Sequence, residues 1–384
     1  MGRKLVLIMT FSIILGVIAA FCAIAVVYPY LLYPLVLRFL PSLHIDRCEG
    51  AWSSVTLVFC AFNEESVIKE KLENIEMLKA RHPDIEVLAF DDGSTDSTYD
   101  LLSSRPDLLK VVLGGGRKGK AHGMKLLASR ASGDLLVFTD ANVLLAPEAL
   151  ENLLAYYADE SVGGVCGSLK YIGEDMSATA AVGSAYWRLE EYLKKEESRT
   201  GNVMGADGSI FSIRRKLYPD FPDTVLDDLT VSMAVVFAGH RLIKVEDVVA
   251  YERLVTKRNE EFSRKVRIAA RAFHTHRYLT SQLKNMAAVD KFKYLSRKLV
   301  RWFGGLFLTV GALSGLAAIA ILSPISAIVL GFWGAALFYW GAHSSKGAVS
   351  AAVEIVLAMV ATLIGVFRAA RGKTYIVWNP AKSR

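Results

Sequence analysis

Leu5 to Val27 is a run of 23 residues without a charge, and no other feature restricts the fold of this chain more tightly. A helix of that length spans a hydrocarbon core of about 30 Å. Backbone polar groups find no water there, so such a run must be helical. A cleaved leader is the other reading, but the run exceeds the usual apolar region of a leader and lacks a clear small-x-small cleavage site. The apolar character continues to Leu40, with Tyr28, Tyr30 and Tyr33 placed as an interfacial belt would be. The segment reads as an anchor.

Further apolar segments lie at Phe303–Leu322 and Pro324–Ala342, with a weaker one at Ala348–Phe367, which Glu354 interrupts. The 384 residues therefore divide into an anchor (1–50), an α/β domain (51–255), a basic amphipathic region (256–302), membrane segments (303–370) and a tail (371–384). The net charge is +7, and its location decides its meaning. Lys284, Lys291, Lys293, Arg297, Lys298 and Arg301 alternate with Met286, Phe292, Tyr294, Leu295, Leu299 and Trp302. This pattern leads straight into an apolar segment, so it predicts a helix lying on anionic membrane lipids, not a nucleic-acid surface. Cys22, Cys48, Cys60 and Cys166 lack the close spacing of a zinc site or a disulfide framework, and free thiols are expected.

Between Ser54 and Tyr251 short apolar runs predict buried strands at Val55–Ala61, Ile85–Phe90, Leu109–Leu113 and Leu135–Thr139. Helical segments alternate with them around Glu64–Ala80, Lys120–Ala131 and Pro147–Ala158. This alternation predicts an α/β fold with a mostly parallel sheet and helices on both faces, and ligands gather at the carboxyl ends of such strands.

Those strand ends carry the chemistry. DDGSTD, Asp91–Asp96, ends a strand in two carboxylates; a cap for the next helix needs only one polar residue, so the pair can accept from a base or a ribose. Asp140-Ala-Asn142 supplies oxygen ligands at the next strand end, suited to a divalent ion that neutralises a diphosphate. Gly114–Lys125, GGGRKGKAHGMK, reads either as a phosphate cradle or as a flexible basic turn. Asp227 and Asp228 open an apolar helical run, where acids suit the helix dipole, and where one of them could act as a general base.

Together with AFNEE (Ala61–Glu65), GKA (Gly119–Ala121), TDAN (Thr139–Asn142), GADGSIFSIRR (Gly205–Arg215) and LDD (Leu226–Asp228), these motifs resemble the family-2 glycosyltransferases from about Ser53 to Arg271. That family is inverting and has the nucleotide-sugar-binding GT-A fold; the flanking membrane segments resemble its exopolysaccharide-making subgroup. The resemblance implies that Ala61, Glu64, Asp91, Asp92, Lys120, Asp140 and Arg267 serve the nucleotide. It further implies Asp140 and Asn142 as ligands of Mg2+ or Mn2+, Gly205, Ala206 and Trp187 as the acceptor site, and Asp228 as the catalytic base with Asp227 beside it. The Q-x-x-R-W of processive synthases is reduced to Arg264–Ile268, and Lys125 replaces the family's asparagine, so polymerisation is less well supported.

The implied partners are a nucleotide-sugar, a glycan or lipid-linked acceptor, membrane lipids and polysaccharide export proteins. The rival functions are a polyprenyl-phosphate sugar synthase and a non-catalytic export subunit. The location expected is a bacterial inner membrane with the α/β domain in the cytosol. Crossing by all the apolar segments would then put Arg368, Arg371 and Lys373 outside, against the positive-inside rule. Ala348–Phe367 is therefore expected to be interfacial or re-entrant, with Glu354 at the surface or lining a polar path, and the tail to fold back toward the site.

Overall fold

The computed structural model describes residues 2–50, 53–172, 178–253, 258–344 and 346–377, so residues 378–384 of the expected tail lie outside it. An eight-stranded sheet forms the centre. Its strands are β1 (Val55–Ala61), β2 (Glu86–Asp91), β3 (Lys110–Leu113), β4 (Leu135–Thr139), β5 (Leu144–Leu145), β6 (Val162–Ile172), β7 (Ile210–Arg214) and β8 (Arg241–Arg253). They lie in the order β3-β2-β1-β4-β7-β6-β8-β5. The pairs β3-β2, β2-β1, β1-β4 and β6-β8 are parallel; β7 runs antiparallel to both β4 and β6, and β5 antiparallel to β8. The sheet is thus mixed, and the expected parallel order belongs mainly to its first half.

β1 and β4 are buried along their whole length, as strands covered by helices on both faces must be. One core joins the sheet to the helices Glu65–Arg81 and Ala149–Ala155, through Leu57, Phe59, Ile68, Ile75 and Leu153. The other joins it to the helices Lys120–Arg130 and Asp227–Phe237, through Phe90, Met124, Leu127, Phe138 and Val231. Chain order reverses beside β1, so the ends of β1 and β4 flank a crevice open to a ligand.

The basic region departs from expectation. It forms a helix at Ala288–Tyr294 and a π-helical turn at Leu295–Leu299 before the apolar helix Gly304–Leu322. Lys293 and Arg297 are buried in protein instead of facing outward. Arg297 donates to Glu190 and Glu197 of the helix Ala178–Arg199, and Arg301 to Glu190. Cations interleaved with aromatics look alike whether lipid or carboxylate answers them.

Among the described residues, four helices are long and apolar enough to cross a membrane: Val6–Val27, Gly304–Leu322, Pro324–His343 and Ala348–Ala370. In the last, 33% of the most apolar stretch is buried inside the protein, against 11% in each of the others. It runs beside the helix Arg258–Tyr278: Glu354 pairs with Arg258 at 2.5 Å, and Gly365 packs on the Val266 carbonyl and Ala269. That neighbour carries Glu260, Glu261, Arg264, Lys265, Arg267 and Arg271, which hydrocarbon would exclude. The packing therefore favours the membrane face for Ala348–Ala370. The helix is continuous, so it has no re-entrant reversal, and Glu354, also bonded to Thr179, is buried and committed to its partners. Reporter fusions after Lys346 and after Arg384 are expected to fall on the same side of the membrane; opposite sides would show that Ala348–Ala370 crosses.

Candidate active site

The acids that end β2 do different work. Asp91 Oδ2 accepts from the N–H groups of Gly93 and Ser94, both at 3.1 Å, and so shapes its own turn. Its other oxygen, Oδ1, is buried without a hydrogen-bond partner among the described residues, an arrangement that costs free energy until a donor arrives. Asp92 is wholly buried; Oδ1 accepts from Lys118 N (2.6 Å) and Gly119 N (2.9 Å), and Oδ2 from Arg117 Nε (3.2 Å). Asp92 therefore fixes the 117–119 loop. Arg117 in turn stacks 3.3 Å over the Phe62 ring.

Beside them, Ala61 closes β1 opposite Asp91, and its carbonyl accepts from Asp92 N at 3.0 Å. Asn63 takes a left-handed φ of 51° and ties Thr95 through its side chain, while buried Glu64 donates its N–H to Thr98. Gly119 has φ +93°, and a Cβ there would collide with the carbonyl of Ile376. The described part of the tail thus reaches the loop, as expected. Only glycine accommodates both the angle and the approach.

Lys120 opens the following helix, and its ammonium lies 2.5 Å from Asp140 Oδ1 and 4.0 Å from Asp227 Oδ2. Because β7 runs antiparallel to β4, pairing Thr139 with Ile210, the Gly205–Gly208 segment returns beside Asp140. A Cβ on Gly208 would stand 2.9 Å from Lys120 Nζ and 3.6 Å from both Asp140 Oδ2 and Asp228 Oδ2. Bare backbone at Gly208 is therefore the point on which these groups converge.

Asp227 and Asp228 begin the helix Asp227–Phe237. Arg271 reaches Asp227 Oδ1 at 3.4 Å, and Asp228 Oδ1 accepts from Leu229 N at 2.5 Å. Burial and the adjacent Asp227 carboxylate push Asp228 up to about 7. Burial would lower the Lys120 ammonium, but Asp140, Asp227 and Asp228 outweigh it and hold the group charged. Ser232 joins the wall to this helix, accepting from Ala206 N at 2.9 Å and donating to the Asp228 carbonyl.

Other residues singled out in the sequence have surroundings of their own. Asn142 donates to Glu252 at 2.9 Å, toward the β8 edge and away from Asp140. Trp187 packs edge-on against Tyr171 and bonds the Leu169 carbonyl; Lys194 lies over its ring and pairs with Asp207. Arg267 is half-buried one turn before Arg271, the arginine that meets Asp227. Lys125 binds Asp223 at 2.6 Å, tying its helix to a loop.

Among the described residues no three His, Cys, Asp or Glu side chains cluster to hold a metal by themselves. The donor set nonetheless fits an ion that arrives with a diphosphate. Asp140, Asp227 and Asp228 outnumber Lys120 and Arg271, and Mg2+-type ions commonly take one or two carboxylates plus phosphate oxygens.

Sequence reasoning missed the support beneath the wall. Glu197, fully buried, accepts from Met204 N (2.9 Å), Tyr33 Oη (2.6 Å) and Arg297 Nη1 (2.6 Å). The unexplained alternation of acids and cations in Glu190–Arg199 was the only local sign of it. Arg297→Met should leave Glu197 with an unbalanced buried charge and destabilise the protein by about 3–5 kcal/mol, read as a large loss of thermal stability in detergent.

Residues 56–221 match the family model described as glycosyl transferase family 2. The chain is 28% identical over 209 residues to a beta-monoglucosyldiacylglycerol synthase of Nostoc sp., a match covering 50% of this chain and 43% of that protein. It is 24% identical over 173 residues to hyaluronan synthase of Streptococcus pyogenes, covering 42% of this chain and 41% of that one. The match thus spans less than half the length of these curated relatives. Among solved structures, a mannosyltransferase from Pyrobaculum calidifontis in complex with GDP-Man and Mn2+ superposes with a TM-score of 0.72 at 23% identity, covering 92% of this chain and 99% of that chain. The sheet and its flanking helices have the GT-A fold.

Proposed function

We propose, from the premise that residues 56–221 form a glycosyl transferase family 2 domain, that the protein moves a sugar with inversion from a nucleotide-sugar, UDP-linked, to a hydroxyl of a lipid-linked or growing glycan. The work is done at the cytosolic face of a bacterial inner membrane. The observation that carries the reading is the convergence of Lys120, Asp140 and Asp228 on the bare backbone of Gly208.

That geometry and its surroundings support the following roles. The unpartnered Asp91 Oδ1 accepts from an N–H of the base, at the strand end where Ala61 and Glu64 also lie. The loop that Asp92 holds presents backbone beside the diphosphate, and Lys120, exchanging Asp140 for phosphate oxygens, balances its charge. Asp140 would hold a divalent ion together with the diphosphate, and that ion would supply charge neutralisation to the leaving group.

Asp228 faces the acceptor across Gly208, with Gly205 and Ala206 continuing the wall. Its raised proton affinity suits it to take the proton of the attacking hydroxyl, and Arg271 holds Asp227 where it sustains that affinity. The membership of glycolipid and polysaccharide synthases among the relatives supports a membrane-borne acceptor.

Asp228→Asn is expected to lower transfer by about 100-fold to 10,000-fold while nucleoside diphosphate affinity stays within about twofold. Loss of nucleotide binding instead would reassign the residue. Activity that survives this substitution when a lipid phosphate is the acceptor would favour transfer onto a phosphate oxygen, which needs no strong base. A base must be ionised, so kcat/KM should fall as pH drops through about 7, and an acid limb insensitive to Asp228 would contradict the assignment.

A further inference from the structure

The charges behind the acceptor wall do not cancel. Glu190 is taken by Arg297 and Arg301, Glu197 by Arg297, Glu191 by Lys244, and Asp207 by Lys194. The side chain of Lys298, in the π-helical turn between those two arginines, makes no hydrogen bond or ion pair among the described residues. Its ammonium stands 3.8 Å from the point that a Cβ on Gly205 would occupy. Burial, then Arg297 and Arg301, push Lys298 down to about 8 against the opposing pull of Glu190 and Glu197. Among the described residues no carboxylate comes within ion-pair distance of it, since Glu190 and Glu197 are engaged by the arginines.

The wall beside it is bare. Gly205 has φ +97°, and a Cβ would strike the Leu229 side chain, so main chain and ammonium face one another with no intervening side chain. Lysine binds phosphate as a point charge and needs no fixed fork of donors. The turn continues through Val300–Trp302 into the apolar helix Gly304–Leu322, so a lipid in the bilayer would meet Lys298 at the membrane face. Gly205 and Gly208 are three residues apart, at most about 11 Å of extended chain. A group at Lys298 and a group at Asp228 can therefore belong to one acceptor.

We propose that Lys298 and the Gly205 backbone seat a phosphate group carried by the acceptor, which is a phosphate-bearing lipid that offers a separate hydroxyl to Asp228. This rests on the reading of Asp228 as the base and adds the substrate class. No bond to phosphorus changes: the hydroxyl oxygen bonds the anomeric carbon as the bond to the nucleoside diphosphate breaks, and the hydroxyl proton passes to Asp228.

The test uses the full chain in detergent, titrated with dihexanoyl phosphatidylglycerol, with dihexanoylglycerol as the uncharged control and inorganic phosphate as the free anion. The phospholipid should bind about tenfold tighter than the neutral lipid. Lys298→Gln should remove that preference and Lys298→Arg should keep most of it. An unchanged nucleoside diphosphate affinity in Lys298→Gln shows that the variant is folded. Equal binding of the two lipids, or a preference that survives Lys298→Gln, overturns the proposal. Inorganic phosphate binding as tightly as the phospholipid overturns the lipid part of it. The base reading fails separately, through transfer that persists in Asp228→Asn while the Lys298-dependent binding is intact.

Discussion

Glu197 and Arg297 face each other at 2.6 Å with almost no access to water, and how that pair is completed governs much of the remaining geometry. A carboxylate and a guanidinium withdrawn from solvent lose several kcal/mol of hydration each, so every remaining donor and acceptor must be answered in place. Tyr33 answers from the segment after the first apolar helix, Glu190 from the helix Ala178–Arg199, and Met204 N from the segment that leads into Gly205. Segments far apart in sequence are fixed to one another between the apolar helices and the site. The wall that ends in Gly208 begins one residue after Met204.

From that anchorage the site is assembled by the sheet. Parallel β1, β2 and β4 deliver Ala61, Asp91 and the residue after Thr139 to a common edge, because parallel strands point their carboxyl ends the same way. Antiparallel β7 then brings its amino end to that edge, so Gly208 meets Asp140. The Asp227–Phe237 helix starts at the same place and contributes its two acids. Electrostatics make the cluster self-consistent: Lys120 balances Asp140, Arg271 holds Asp227, and burial beside the Asp227 carboxylate raises the proton affinity of Asp228.

Much of this was legible in the chain. Strands β1 and β4 fall on the expected residues because a fully buried strand is an uninterrupted apolar run bounded by polar positions. Asp91, Asp140 and Asp228 could be singled out from the chain because acids at strand ends and at the start of a helix mark the edge where ligands gather. The divergent roles of Asp91 and Asp92 were not legible, since adjacent aspartates are equivalent until one of them meets the 117–119 loop. Asn142 looked like a companion to Asp140, yet Glu252 on β8, more than a hundred residues later, claims its amide. Arg297 and Arg301 looked like membrane-facing cations for the same reason: their carboxylate partners lie on a distant helix.

The sequence by itself determined the apolar helices, the alternation that builds the sheet and the acids placed at its edge, because length, periodicity and strand-end position are local properties. Only the tertiary structure decided which carboxylate would be paired, which would keep its proton affinity high and which lysine would be left over. Those outcomes depend on burial and on partners brought from elsewhere in the chain, and a charge has no fixed meaning until its surroundings are known.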